Sequence, residues 1–152
     1  MRLGMSACCC RRERGRHFCL SPYVLLLPGM KLEKYALKAE SSLTIFEFIS
    51  EGPNGPIRKL IKFQETNEPN LYNLAFGDRE AQTGEIDDLA ISNNGDSEKV
   101  LATVVSALYA FFDKHPDAFV YATGSTKSRT RLYRMGITPF HEEIAQDFDL
   151  YG

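Results

Sequence analysis

The chain has 152 residues, 43% of them hydrophobic and 25% charged, and this composition is typical of one globular domain. It excludes a disordered polymer or a repeat array. A disulfide framework is also excluded, because the four cysteines all lie within the first nineteen residues. A body without cysteine, a secretion signal or a membrane span suits a reducing compartment, so we expect a cytoplasmic protein stabilised by apolar burial.

Charge divides the chain into two unequal parts. Residues 1–29 contain five arginines and one glutamate, net +4, whereas residues 30–152 contain 13 basic and 19 acidic residues, net −6. An acidic body repels phosphate at long range, so general binding to nucleic acid or to an anionic membrane is disfavoured. Any anion site must therefore be local.

The first 29 residues contain no recognisable membrane-spanning, signal-peptide or metal-binding motif. The apolar run 24–27 is too short to cross a bilayer, and no cleavage motif follows it. The cysteines at 8–10 lack a histidine or a second cysteine pair at metal-ligand spacing. Amphipathic patterning begins at Met30. We therefore expect residues 1–29 to be a disordered tail or a mis-annotated start, and residues 30–152 to form a single α+β domain.

Four short segments separated by turn-forming residues predict consecutive strands at 35–39, 43–50, 57–63 and 71–76. The first loop, 51–56, contains two glycines and two prolines, which favour a tight reversal. Asparagine and proline in the loop 67–70 favour another. The front half is therefore predicted to be an antiparallel four-strand meander.

The strongest periodic signal begins at Ser97, where apolar residues recur at three-to-four spacing for four turns. Asp96 or Ser97 can cap this helix, and Pro116 ends it. A strand at 118–122, a short helix that closes near Gly136, and a final strand or helix should follow. The prediction is a two-layer α+β fold: a mostly antiparallel sheet, a long helix, a strand, a short helix and a last element.

One local cluster of cations stands out against the acidic body, between Gly124 and Arg134. A strand that runs into a glycine, two hydroxyl residues and a helix presents backbone N–H groups at the positive end of the helix dipole, which suits a phosphate or a carboxylate. The candidate ligand-binding residues here are Gly124, Ser125, Thr126, Lys127, Arg129, Arg131 and Arg134.

On a helix, Lys127, Arg131 and Arg134 would share one face. A purely structural interpretation stays open for the whole segment, in which a hydroxyl residue caps the helix and the arginines pair with nearby acids. Those acids would be Asp87, Asp88, Glu142 or Glu143.

A second candidate precedes the long helix, where Asn94 lies in a turn and Lys99 in the first helical turn. A bound anion or a plain turn and cap would each explain these residues. If both helices start at the same edge of the sheet, their N-termini would border one crevice, the usual ligand position in layered α/β arrangements.

The sequence lacks the residue patterns required for metal binding, nucleophilic catalysis or nucleotide hydrolysis. The three histidines stand apart from any metal or nucleophile pattern, no cysteine follows Cys19, and the nucleophile-elbow and Walker motifs are absent. The pair Asp87 and Asp88 is typical of a solvated acidic loop. We therefore predict neither a metal nor a cofactor.

Several motifs occur in an order that resembles a family of small bacterial proteins known only as a domain of unknown function. They are FEFISEGPNGPIRKLIKF, NLYNLAFGD, TGEIDD, SNNGDSEKVLATV and GSTKSRTRLYR, and the resemblance covers about residues 35–152. It implies no activity that could be carried over to particular residues.

The order of elements also resembles the back half of the N-acetyltransferase fold. That family holds the cofactor pyrophosphate on an Arg/Gln-x-x-Gly-x-Gly/Ala loop, whereas this chain has a single glycine and acidic residues at the corresponding place, 93–99. An acyltransferase-like enzyme with a degenerate CoA loop, in which Tyr133 would act as general acid, is therefore one alternative.

The leading interpretation is a cytoplasmic domain that binds a phosphate-bearing small molecule or an acidic protein partner through the segment 124–134, with Asn94 and Lys99 as further candidates. A purely structural accessory protein is the other alternative, and it predicts internally paired arginines. The sequence encodes neither a reaction nor an oligomeric state.

Overall fold

The computed structural model of the protein describes residues 7–11, 33–87, 90–122 and 147–151, together with the single residues 127, 131, 134, 135, 138, 142 and 145. The elements are, in chain order, β1 (Ala7–Arg11), β2 (Lys38–Ala39), β3 (Ile45–Gly52), β4 (Gly55–Glu65), β5 (Leu71–Arg79), β6 (Ile86–Asp87), α1 (Ser97–Lys114), β7 (Phe119–Ala122) and β8 (Phe148–Tyr151).

The eight strands found among the described residues belong to one sheet, with the order β2-β3-β4-β5-β7-β1-β8 and with β6 paired to β5. Neighbouring strands from β2 to β5 are antiparallel. Strand β7 is parallel to β5, because α1 carries the chain back between them. The mostly antiparallel sheet with its helix confirms the predicted α+β fold class.

The predicted meander is present, and its turns use the expected residues. Strands β3 and β4 pair from Ile45 opposite Lys62 to Gly52 opposite Gly55, which leaves a two-residue turn. Gly55 has a φ of +83°, a backbone conformation that glycine adopts at no steric cost. Asn70, at the next reversal, has a φ of +59°.

The first predicted strand is shorter than the pattern indicated: only Lys38–Ala39 pairs with β3. The reason is that Tyr35 is bound to other elements. Its backbone N–H donates to Thr103 Oγ1 on α1 at 2.9 Å. Its hydroxyl accepts from the Glu51 N–H at 3.0 Å and lies 3.1 Å from the Glu51 carbonyl oxygen. A side chain, instead of a strand, thus occupies this part of the sheet edge.

The long helix occupies Ser97–Lys114, as predicted, and covers one face of the sheet. In the core, Phe111 stacks on Phe63 of β4 with ring centroids 4.2 Å apart, and it meets Tyr72 of β5 edge-on at 5.0 Å. Ile61 and Phe63 of β4 point to the same face of the sheet, because side chains alternate along a strand. They pack with the buried side chains of α1 into one apolar core.

The last element, predicted as helix or strand, is the strand β8. Its Phe148 is 2% exposed and packs against Tyr109 and Phe112 of α1, with centroids 4.7 and 5.1 Å apart. The hydroxyl of Tyr109 donates to Asp147 at 2.8 Å. The start of β8 is therefore anchored on the helix.

Strand β1 was not predicted from the sequence. It pairs antiparallel with β7 on one side and with β8 on the other. The division of the chain near Met30 stays a prediction. Among the described residues, no helix combines the length and the hydropathy that a membrane crossing requires.

We expect Phe111→Leu to lower the free energy of unfolding by about 1–3 kcal/mol, because the stack on Phe63 and the edge contact with Tyr72 are lost from a fully buried site. Urea denaturation measures the change. The matched control is Ile91→Ala at a side chain 89% exposed, which should stay within about 0.5 kcal/mol of the wild type. Equal effects of the two variants would contradict the assigned core.

Candidate functional site

The loop that precedes α1 is locked to the hairpin between β3 and β4 by the side chain of Asn94, which is 3% exposed. Its Oδ1 accepts from the backbone N–H of Asn54 at 2.9 Å. Its Nδ2 donates to Ser50 Oγ at 3.0 Å and to the carbonyl oxygen of Gly55 at 3.1 Å. Both ends of the amide are thus satisfied inside the protein.

The backbones of the hairpin and the loop lie in direct contact at Gly52. A Cβ at this position would stand 2.0 Å from the carbonyl oxygen of Asn94. Asn54 also donates from its Nδ2 to the carbonyl oxygen of Ser92 at 2.8 Å. Two motifs that are far apart in sequence, 50–55 and 92–96, therefore form one interlocked unit.

Asp96 is the N-cap of α1, as predicted, but its carboxylate does not cap the helix. Its Oδ2 instead accepts from the hydroxyls of Tyr35 at 2.7 Å and Ser50 at 2.5 Å. Lys99 Nζ lies 4.3 Å from the ring centroid of Tyr35 and 3.6 Å from a carboxylate oxygen of Glu33. A carboxylate at the helix start repels the anion that the helix dipole would attract.

The sequence-predicted pair Asn94 and Lys99 thus lies in one polar network, but the structure already gives both side chains protein partners. Asn94 holds the hairpin, and Lys99 pairs with Glu33 and Tyr35. The side chain of Lys99 is 32% exposed, so it keeps some access to solvent. Both side chains thus have partners within the fold, although the expected side-chain cap of α1 is not formed.

A second polar cluster, which the sequence analysis missed, joins Lys59 of β4, Asp78 of β5 and Ser92. Lys59 is 8% exposed and lies directly opposite Asp78, to which its ammonium is ion-paired. It also donates to Ser92 Oγ at 2.9 Å, and that hydroxyl lies 3.2 Å from Asp78 Oδ1. The sequence feature that could have indicated this cluster is a lysine within an otherwise apolar predicted strand. The three groups satisfy one another's hydrogen-bonding capacity, so the cluster fixes β4, β5 and the segment that contains Ser92 to one another.

The basic segment is described in part. Gly124, Ser125, Thr126 and Arg129 lie outside the described residues. Lys127, Arg131 and Arg134 have helical geometry, and all three are exposed. Their spacing of four and three places them on one face of a helix. Of the acids expected as pairing partners, Asp88 and Glu143 also lie outside the described residues.

Topology places the basic segment beyond the carboxyl end of β7. Because β7 is parallel to β5, the chain leaves both strands in the same direction, first towards the loop before α1 and later towards residue 127. The carboxyl ends of parallel strands are the usual ligand position in layered α/β sheets. Within the described ranges, no group of three or more histidine, cysteine, aspartate or glutamate side chains could hold a metal ion.

We expect Gly52→Ala to destabilise the protein by at least about 2 kcal/mol, because the new methyl group would displace the backbone of Asn94. The matched control is Gly77→Ala, whose Cβ would meet a side-chain methyl group of Ile86 at 2.8 Å, while the Asp87 carbonyl oxygen lies at an ordinary contact distance of 3.7 Å. Thermal unfolding followed by circular dichroism measures both. A smaller loss for Gly52→Ala than for Gly77→Ala would contradict the lock.

The hydroxyl of Tyr35 should titrate above its ordinary value. Partial burial raises the pKa of Tyr35 above about 10, and the hydrogen bond to Asp96 and the charge of that carboxylate add to the rise, against lowering contributions from the Glu51 backbone and Lys99. Because the folded pKa exceeds the unfolded one, the stabilisation is complete below the unfolded value and is lost as the pH rises through the folded value.

Ultraviolet titration of tyrosinate in the wild type and in Tyr35→Phe measures this shift. The tyrosine titration step that is missing from Tyr35→Phe should lie above pH 10. In that pH range the free energy of unfolding should fall less in the variant than in the wild type. Loss of a step at or below the ordinary tyrosine pKa would contradict the assigned environment.

Comparison with known proteins gives a family but no activity. A family model described as "Family of unknown function (DUF6934)" matches residues 31–152. No curated protein and no solved structure matches the chain. The match covers most of the chain and includes the hairpin, the loop before α1 and the basic segment. The protein therefore belongs to the DUF6934 family of unknown function.

Proposed function

We propose that the protein is a binding domain for a phosphate-bearing small molecule, which it holds through the basic face formed by Lys127, Arg131 and Arg134. The observation that carries this proposal is the placement of three exposed cations with helical geometry at one-face spacing, just beyond the carboxyl end of β7. A cytoplasmic location, expected from the cysteine-free body, suits such a ligand.

The chemistry of the three side chains fits phosphate. An arginine guanidinium donates two parallel N–H bonds to one phosphate group, which gives orientation as well as energy. Lysine adds a compact charge that needs no fixed geometry. Three such donors on one face can therefore neutralise a phosphate ester or a diphosphate.

The acidic body limits the size of the ligand. Residues 30–152 carry a net charge of −6, and exposed charges act over about 8 Å at physiological salt. A small molecule can lie within the reach of the basic face alone, whereas a long polyanion would also meet the acidic surface. This argument favours a metabolite-sized ligand over nucleic acid.

The start of α1 is a poorer anion site than the basic face. Its first turn carries the Asp96 carboxylate, and the loop before it is fastened to the hairpin through Asn94. We therefore place the phosphate at the segment 127–134 and assign Asn94 and Lys99 to the scaffold of the loop.

The topology favours an acyltransferase-like enzyme as a second candidate, because α1 joins the parallel strands β5 and β7 after an antiparallel meander. The same Asp96 and the same occupied loop argue against cofactor phosphates at the start of α1. Such an enzyme would have to hold the phosphates of CoA on the basic face, so a CoA derivative is the ligand that separates the two candidates.

The test is a thermal-shift titration of the full chain with inorganic phosphate, nucleotides, CoA derivatives and an acidic peptide. A ligand at one hundred times its Kd should stabilise the fold by about 2.7 kcal/mol. We expect Arg131→Ala and Lys127→Ala each to weaken binding at least tenfold, because each removes one charge from the basic face.

Lys38→Ala is the matched control, because it removes one exposed lysine from the far edge strand β2. Lys38→Ala should leave the affinity unchanged. If Lys38→Ala, Lys127→Ala and Arg131→Ala all weakened binding equally, the effect would come from the net charge of the protein and not from the basic face. No shift with any ligand would contradict the proposal, and a selective response to the acidic peptide would replace the small molecule by a protein partner.

A further inference from the structure

Strand β1 lies between β7 and β8 and pairs with both. Cys8 is opposite Tyr121 on β7 and Tyr151 on β8, and Cys9 is opposite Val120 and Leu150. Because β1 is antiparallel to both neighbours, β7 and β8 run parallel to each other with one strand between them. Two sheet spacings, roughly 9.6 Å, therefore separate β7 from β8.

Strand β7 is held in place along its length, and β8 at its first residue, by contacts that do not involve β1. Strand β7 pairs with Leu71–Leu74 of β5, and its Val120 is buried in the core. Strand β8 begins at Phe148, which packs on α1. Both sides of the space between them thus belong to the domain core.

The family match supplies an independent observation. It covers residues 31–152 and so includes β7 and β8 but not β1. The region matched by the family model thus contains both sides of the space, while the strand that fills it comes from outside that region. Residues 12–32, twenty-one in number, connect β1 to the domain.

We propose that the space between β7 and β8 is a strand-binding groove, and that residues 7–11 are a tethered occupant of it. The groove would take an extended polypeptide segment that runs antiparallel to both strands and satisfies their backbone N–H and C=O groups, as in β-strand addition. This inference is independent of the basic face and of any small-molecule ligand.

Net charge contributes to this placement only at long range. Residues 1–29 carry net +4 and residues 30–152 net −6, whereas residues 7–11 themselves contribute one charge, Arg11. Because residues 12–32 join β1 covalently to the domain, its binding is intramolecular, and a free segment in trans must compete with it. Weakening β1 should therefore open the groove to a free peptide of the same sequence.

The experiment uses the full chain with Cys9→Pro, because proline lacks the backbone N–H and is not tolerated between two strands. Cys9→Ser is the matched control that keeps the strand. The probe is a fluorescent peptide of residues 5–13 with serine in place of cysteine, and a version with proline at the central position is its control.

We expect the peptide to bind Cys9→Pro at least ten times more tightly than it binds the wild type or Cys9→Ser, and the proline peptide to bind none of them. Equal affinity for all three proteins, or no binding to a Cys9→Pro variant that still unfolds cooperatively, would overturn the proposal.

Amide hydrogen exchange of the wild type gives a second test that does not depend on the folding of Cys9→Pro. The amides of 7–11 should be protected together with those of 119–122 and 148–151. Exchange of the 7–11 amides at the rate of an unstructured peptide would show that they do not occupy the groove, and would overturn the proposal by itself.

Discussion

The amide of Asn94 determines how the helix layer meets the sheet. It bonds to three groups of the β3–β4 hairpin, and Gly52 lets the two backbones touch. A buried amide that lost these partners would cost about 1–3 kcal/mol for each unsatisfied group, so the loop has one stable position. The direction in which α1 leaves that loop, and hence the placement of Phe111 on Phe63, depends on this lock.

Tyr35, Ser50 and Asp96 extend the same network to the edge of the sheet. The Asp96 carboxylate accepts two hydroxyl donors instead of capping its own helix. The helix start thereby loses a conventional side-chain cap and gains a connection to β3 and to the segment before β2. This arrangement also makes the start of α1 unfavourable for an anion, which directs attention to the basic face after β7.

Local signals predicted most of the fold. The bounds of α1 and the two reversals of the meander follow from residue spacing and from glycine, proline and asparagine, which act within a few positions of the chain. The pairing of Lys59 with Asp78 could not be predicted, because it depends on the cross-strand register of residues nineteen positions apart. Asn94 was recognised as a candidate, but its role depends on the hairpin that lies against it.

The candidate site was predictable as a group of cations but not as a place in the fold. Helical spacing predicted that Lys127, Arg131 and Arg134 share a face, whereas their position beyond the carboxyl end of β7 depends on the parallel pairing of β7 with β5. Strand β1 was missed because its five residues, Ala-Cys-Cys-Cys-Arg, lack the alternation by which a half-buried strand is recognised.

The two proposals meet in the connection between β7 and β8. Residues 123–147 join the two sides of the groove, and the basic face lies within them. If an occupant of the groove changes the spacing of β7 and β8, it changes the ends of the segment that carries Lys127, Arg131 and Arg134. Thermodynamic linkage then requires the reverse effect of equal size, so a phosphate ligand would alter the affinity of the groove for its strand by the same factor.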